Sequence, residues 1–390
     1  MTVMPTPAET IHAGLFTVDS HCDTPSSLAL KGYDIGVRHA ARTLLGGDID
    51  LARMREGGLA AVFFAVYVAQ GPRTPEGFAQ ARRAALATLD RLDRMFRHYP
   101  AQCELALSPA DAMRIHAAGQ RAIFLGMENG YPLGLDLGLL ELYHRRGIRY
   151  LTLCHARDND LCASCTSDQG DSGLSAFGAQ VVARMNELGM MVDVSHASER
   201  TVEAVLRLSR APVVASHSGA RAVADHPRNL TDGQLRAIAA QGGVVQVCFV
   251  PEFLRPVPPD PAADQAWSDL WRRAKAHYGA HPIGEDLRLD AAFEAEHAGL
   301  LRRFPLAEAS IKDVADHLDH AVALAGIDHV GIGSDFDGGG RLEDCRDVSE
   351  LPALTAELLR RGYAVLDLRK IWGGNLMRVF GEVLDLALGE

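Results

Sequence analysis

The chain has 390 residues, of which 47% are hydrophobic, 23% charged and 6% aromatic. This is an ordinary globular composition and excludes a disordered, collagen-like or coiled-coil protein. Lys+Arg 39 against Asp+Glu 50 gives a net charge of −11 without any basic run, which argues against nucleic acid and anionic membranes as partners.

Seven scattered cysteines, an odd number, do not form a secreted disulfide framework. Cys162 and Cys165 make one CxxC, but a zinc ribbon would need a second pair. They read as two small loop residues. Met1 to Gly14 has neither a basic segment nor a long apolar one, so it is not a signal peptide. No apolar run reaches the roughly 18 residues of a membrane span, and Val383 to Glu390 is too short for a lipid-anchor signal. The protein is expected to be cytoplasmic.

Taken in chain order, eight short runs rich in Val, Ile, Leu and Phe predict strands over Leu15–Asp19, Ala60–Tyr67, Arg121–Met127, Tyr150–Cys154, Met190–Val194, Pro212–Ser216, Val244–Phe249 and Val330–Gly333. Runs barely interrupted by charge fit parallel strands buried on both faces. Helical periodicity lies between most of them: Pro75–His98, Gly134–Arg146, Gly173–Leu188, Ser198–Leu208, Thr231–Gln241 and Leu306–Ala325. Thr231 before Asp232 is a good N-cap, whereas Ser198-x-x-Thr201 is only a partial start signal. Eight strands alternating with helices predict an α/β protein, a (β/α)₈ TIM barrel. An open doubly wound sheet is the alternative, weakened because no GxGxxG follows the first strand. One domain over residues 1–390 is expected, with an insertion at about 251–304 between the last two strands. The insertion is Pro-rich at its start and carries Trp267 and Trp271. It reads as a loop plus helix near the active-site mouth, a lid or a homodimer contact.

The positions of the polar residues carry the functional argument. His21 and Asp23 follow the first strand and Glu128 ends the third. His155, His196, His217 and Asp335 follow the fourth, fifth, sixth and eighth. In a parallel barrel those strand ends converge on one rim, where active sites are built. Unpaired, such groups are expensive to bury. Residues i and i+2 of an extended segment share a face, so His21 and Asp23 can hold one ion. Asp19 shares that parity but lies deeper and reads as a structural hydrogen-bonding group. Glu128, beside Gly126 and Gly130, has two oxygens and can bridge two metals. Each motif alone has a plainer reading: a solvated turn pair for HxD, a capping or salt-bridged Glu, a hydrogen-bonded loop His. Together they reverse it. Imidazole and carboxylate suit Zn²⁺, and five ligands with one carboxylate shared suffice for two Zn²⁺ ions with open positions. Asp335 can take a proton from a metal-activated water and pass it on. Asp337 is the second choice for that role, although Asp337-Gly338 reads better as a turn. Arg228 has a planar fork suited to a substrate carboxylate. For His155 the sequence leaves two roles open, third ligand or oxyanion donor.

The motifs His21-Cys22-Asp23, Gly126-Met127-Glu128-Asn129-Gly130, Leu151-Thr152-Leu153-Cys154-His155, Asp193-Val194-Ser195-His196, Ser216-His217-Ser218, His226-Pro227-Arg228-Asn229-Leu230, Gly331-Ile332-Gly333-Ser334-Asp335-Phe336-Asp337-Gly338 and Gly373-Gly374-Asn375 occur in this order. They resemble the membrane (renal) dipeptidase family of the amidohydrolase superfamily, from about residue 15 to about residue 380. The resemblance implies a barrel with a binuclear zinc site, in which His21, Asp23 and Glu128 hold one ion and Glu128, His196 and His217 the other. It implies that His155 and Arg228 contact substrate and that Asp335 shuttles the proton. Cys154 stands where the family commonly has Thr, and Cys162 and Cys165 lie in the following loop. Both departures bear on specificity more than on chemistry.

The expected function is hydrolysis of free dipeptides, L-Xaa-L-Xaa and L-Xaa-D-Xaa, by a hydroxide bridging two zinc ions. Two other readings stay open: a different amidohydrolase reaction at the same metals, and a non-catalytic metal-binding protein. An intact Asp335 weighs against the second, since a binding module needs no proton shuttle.

Overall fold

The computed structural model describes residues 6–29, 33–39, 47–258, 260–278, 291–305 and 308–389. Nine parallel strands form its sheet: β1 (Val18–Cys22), β2 (Ala61–Tyr67), β3 (Cys103–Leu105), β4 (Arg121–Glu128), β5 (Ile148–Thr152), β6 (Met191–Asp193), β7 (Val214–Ser218), β8 (Val244–Val247) and β9 (Val330–Ile332). Eight of them run in the order β1-β2-β4-β5-β6-β7-β8-β9. The short β3, not predicted, pairs with Arg121–Ile123 of β4 before β5 takes over from Leu125. At the C-terminal rim Cys22 bridges to Phe336. There the Asp23 N–H donates to the Phe336 carbonyl (2.9 Å) and the Asp335 N–H to that of His21 (3.0 Å). The result is a nearly closed (β/α)₈ barrel, as the alternation of apolar runs and helices predicts.

Two apolar layers follow from strand alternation. One set of strand residues (Val62, Phe64, Ile123, Leu125, Leu151, Val192, Val245) packs against the surrounding helices. The other (Val18, Ala61, Phe63, Ala122, Phe124, Tyr150, Met191, Val214, Val244) packs with Leu376, Val379, Phe380 and Val383 of the helix Asn375–Leu388. The Phe380 ring meets those of Phe63 and Phe124 edge-on. That helix therefore stoppers one end of the barrel, and the polar residues are left the other.

Helix Pro75–His98 falls where expected, opened by the Thr74 cap and Pro75 and burying Ala81, Ala85, Leu89 and Leu92 along one stripe. Ser198, a partial signal in sequence, is a working N-cap that accepts from the Thr201 N–H. Thr231 forms a full capping box with Gln234. The helices Pro109–Ala117, Pro352–Arg360 and Asn375–Leu388 were not anticipated.

Strand limits moved in a consistent way. The first strand lies three residues further along than predicted and contains His21, and the seventh contains His217. In both, the pairing register shifts, between Asp19 and Cys22 and between Ala215 and Ser218. Such bulges break the two-residue parity. Neighbouring residues therefore both reach inward: Ser20 to the Ser216 and Ile332 carbonyls, and His21 to Glu128.

The described residues of the insertion form the short helix Pro251–Leu254 and two longer ones, Pro261–Tyr278 and Ala291–Arg303, where a loop plus one helix is expected. Trp267 meets His297 edge-on at 5.5 Å, and Arg273 pairs with Glu296. The Trp271 side chain, Pro259 and the predicted helix start at Leu306 lie outside the described residues.

The N-terminal helix Pro7–Ala13 is fastened to the barrel by His12, which is 1% exposed. Its Nε2–H donates to the Gly57 carbonyl (2.9 Å), and Nδ1 accepts from the Thr355 hydroxyl (2.7 Å). That hydroxyl in turn accepts from the Trp372 indole N–H (2.8 Å). Both ring nitrogens are thus engaged by a neutral imidazole. Burial pulls its pKa down to about 4 from 6.5, despite the Gly57 bond. The unfolded chain binds this proton more readily, so His12 removes stability as pH falls from about 6.5 to about 4. The His12→Gln variant should lose up to about 3 kcal/mol less than the parent over that interval, as read from urea midpoints of ion-free protein.

Candidate metal centre

At the C-terminal rim the chain brings seven of the predicted side chains into one chamber. Glu128, the last residue of β4, is 3% exposed. Its Oε2 lies 3.7 Å from His21 Nε2, while its Oε1 lies 3.2 Å from His196 Nε2 and 3.6 Å from both His217 Nε2 and His155 Nε2. One oxygen thus faces the β1 side and the other the β6–β7 side. His21 Nε2 also approaches Asp23 Oδ2 (3.7 Å) and Asp335 Oδ1 (3.8 Å). Three overlapping donor groups lie within 4.8 Å: His21, Glu128 and His217; Glu128, His155 and His196; His21, Asp23 and Asp335. Arg228 borders the chamber, its Nη2 donating to the His217 carbonyl at 3.0 Å.

These residues fit a bound cation better than they fit one another. Among the described residues His21 Nε2 and Asp23 Oδ1 are buried without a hydrogen-bond partner. His196 Nε2 and His217 Nε2 sit 2.8 Å apart and both face Glu128 Oε1. Lone pairs aimed at a common point are what a metal site offers. Burial holds His196 and His217 well below the usual imidazole range, helped by the charges of Arg228 and His21. Burial and then Arg228 lower His155 to about 4. These three imidazoles are neutral near pH 7, the form in which a ring nitrogen can offer its lone pair to a metal. Burial opposes a charge on His21 too, but Glu128, Asp23 and Asp335 outweigh it and lift the imidazole to about 10. Burial, then the charge of Asp23, pushes Glu128 well above the carboxylate range. Burial lifts Asp335 to about 7, against the pull of His21. The carboxylates outnumber the nearby positive charge, a surplus that a divalent ion removes.

Backbone conformation serves the same end. The four non-glycine residues with left-handed backbone among the described residues are Asn129, His196, Asp335 and Asp337. All follow barrel strands at this rim, where strain is held in place by surrounding structure. Asp337 forms the expected turn, yet its side chain is a clamp. Its Oδ1 accepts from the Gly47 and Asp48 N–H groups and its Oδ2 from the Thr24 hydroxyl, each at 2.7 Å.

Several contributors carried no signal in the motifs. Tyr150 interrupts an apolar strand run, and its hydroxyl lies 2.7 Å from His21 Nδ1. A Cβ at Gly126 would fall 2.0 Å from the Tyr150 ring, so that glycine admits the tyrosine. Tyr67, ending β2, packs edge-on to His155 at 4.9 Å. A Cβ at Gly338 would lie 2.2 Å from Asp23 Oδ2 and 2.3 Å from Asp335 Oδ1. Asp19 behaves as read, accepting from the Ser334 N–H (2.8 Å) and the Ser334 hydroxyl. The seven cysteines are free. Cys154 donates to the Ala163 and His196 carbonyls at 3.7 and 3.6 Å and so braces the loop behind His155.

A parallel barrel with imidazoles and carboxylates gathered at its C-terminal rim is the architecture of a metal-dependent hydrolase. The model of the membrane dipeptidase family (Peptidase family M19) matches residues 6–389. The chain is 32% identical to Dipeptidase tcpJ of Claviceps purpurea (strain 20.1) over 380 residues, which is 95% of this chain and 78% of that protein. It resembles the crystal structure of the probable dipeptidase PvdM from Pseudomonas aeruginosa, with 34% identity, a TM-score of 0.81 and coverage of 97% and 98% of the two chains. A metallo peptidase from Rhodobacter sphaeroides, liganded with a phosphinate mimic of the dipeptide L-Ala-D-Ala, gives 28% identity, a TM-score of 0.75 and coverage of 95% and 99%. The chain belongs to the membrane dipeptidase family and is a hydrolase acting on peptide bonds. Among the described residues no helix is long and apolar enough to cross a membrane.

Placing a methyl group between Asp23 and Asp335 should damage the site without touching the core. Gly338→Ala is expected to melt within a few degrees of the parent while turnover falls by about 100-fold. Calorimetry and a peptidase assay on the same preparation check both halves.

Proposed function

We propose that the protein is a zinc dipeptidase that cleaves free dipeptides, with two ions sharing Glu128. The observation that carries the reading is the division of Glu128: one oxygen toward His21, the other toward His196 and His217. In this reading His21, Asp23 and Glu128 hold one ion and Glu128, His196 and His217 the other. The mixed imidazole and carboxylate donor set favours zinc. Zinc bound by these residues would supply Lewis acidity, lowering the pKa of water toward neutrality and polarising a carbonyl.

The remaining steps belong to the chain's own side chains. Arg228 is 5% exposed, and among the described residues its Nε and Nη1 are buried without hydrogen-bond partners. A buried guanidinium with two donors unspent is a receptor for a carboxylate. It holds the free C-terminus of the substrate, which directs cleavage to the bond beside that terminus and spares the internal bonds of proteins. His155, neutral and facing Glu128 across 3.6 Å, donates to the oxyanion as the carbonyl carbon becomes tetrahedral. Asp335 takes the proton of the attacking water and delivers it to the departing amine. Its left-handed backbone, fixed by the N–H bond to the His21 carbonyl, aims the carboxylate at His21 and the chamber. The ligand of the Rhodobacter sphaeroides relative, a mimic of L-Ala-D-Ala, supports acceptance of a D-residue on the C-terminal side.

The test is hydrolysis of a panel of L-Xaa-L-Xaa and L-Xaa-D-Xaa dipeptides by zinc-loaded protein, with N-acylated and C-amidated controls. Free dipeptides should be cut and blocked ones spared, and cleavage of neither would refute the reading. Asp335→Asn should retain both ions and lose at least about 100-fold in turnover, with metal content and initial rate measured together. Arg228→Met should raise KM for free dipeptides by 10-fold or more, an order-of-magnitude expectation for a lost charge-assisted pair.

A further inference from the structure

Asp193, at the end of β6, is a buried carboxylate to which the mechanism gives no task. It is 0% exposed, and its partners among the described residues are hydroxyls and backbone N–H groups in place of a basic side chain. Its charge is met by four donors. Oδ1 accepts from the backbone N–H groups of Ser195 (3.0 Å) and Ser216 (2.9 Å). Oδ2 accepts from the hydroxyls of Thr152 and Ser216, each at 2.6 Å. The Ser216 hydroxyl also lies 2.8 Å from His217 Nδ1. Since that hydroxyl has spent its proton on Asp193, it can only accept from His217. The imidazole must then carry its proton on Nδ1, which leaves the Nε2 lone pair facing Glu128 Oε1.

We infer that Asp193, acting through Ser216, is a positioning residue that locks His217 in the one tautomer able to ligate a metal ion. This rests on the metal-centre reading above and adds a determinant of ion affinity outside the ligand set. The bulge in β7 makes the relay feasible, because regular strand parity would turn either Ser216 or His217 away from the interior. The opposite histidine lacks such a lock: the partner of His21 is the Tyr150 hydroxyl, which can donate or accept. Among the described residues His196 Nδ1 has no hydrogen-bond partner, so His217 alone of these three histidines is held in this way.

Asp193→Asn separates this role from a merely structural one. The amide matches the carboxylate in shape, and its oxygen must take the Oδ1 position, because two backbone N–H groups point there and cannot reverse. Its NH₂ then faces the Thr152 and Ser216 hydroxyls. Ser216 turns round, accepts from the amide and donates to His217 Nδ1, which moves the imidazole proton to Nε2 and blocks the ligand. Two measurements on ion-free protein read this. Nitrogen-15 spectra of labelled histidine should show one imidazole change from the Nδ1–H to the Nε2–H tautomer in Asp193→Asn. Titration with Co²⁺, followed by its visible absorption, should show two ions per parent chain, one of them weakened by about 10- to 100-fold in the variant. Ser216→Ala should weaken the same ion, and Ser216→Thr should restore it. Unchanged tautomers with two parent-like affinities in a folded Asp193→Asn variant would overturn the inference while leaving the metal-centre reading intact. Failure of the parent to bind Co²⁺ at all would overturn both.

Discussion

The carboxylate of Glu128 is the constraint around which the rim is arranged. It is buried, faced by four imidazoles and crowded by Asp23 and Asp335. A buried charge is tolerable only with compensation, and the protein groups nearby do not fully supply it. The orphaned His21 Nε2 and Asp23 Oδ1, and the upward displacement of both the His21 and the Glu128 pKa values, are two views of this shortfall. A cation completes the site, and much of the surrounding structure keeps room for it. Gly126 makes way for Tyr150 behind His21, and Gly338 keeps side-chain atoms from between Asp23 and Asp335.

Holding such a chamber open requires stability from elsewhere. The barrel separates the two demands along its axis. Toward one end, large apolar side chains from the strands interlock with the helix Asn375–Leu388. Toward the other, serines, threonines and aspartates form the floor on which the rim histidines and carboxylates stand: Asp19 with Ser334, Asp193 with Thr152 and Ser216, and Ser20 with the carbonyls of β7 and β9. Close packing below restricts movement of the strand ends above, so short polar side chains can fix ligand orientation.

Much of this was legible from residue order. Polar residues at the ends of apolar runs identified the rim, and His21, Asp23, Glu128, His155, His196, His217 and Asp335 do meet there, with Arg228 at the edge. Helix Pro75–His98 was legible because its caps and its apolar stripe agree. The helix Asn375–Leu388 was missed because it is apolar enough to stopper the barrel and lacks a capping side chain. Strand edges near the histidines were misjudged because bulges at Asp19–Cys22 and Ala215–Ser218 make pairing irregular where polar residues begin.

The sequence by itself determined the barrel class and the chemical inventory of the site, because hydrophobic period and residue type are local properties of the chain. Only the tertiary structure decided which Glu128 oxygen faces which histidine, that Tyr150 and Asp193 stand behind His21 and His217, and that Asp337 is a clamp. These facts depend on register between strands far apart in sequence, and on bulges that override strand parity. A hydrogen bond is set by a few tenths of an ångström between such strands, and no local pattern encodes that distance.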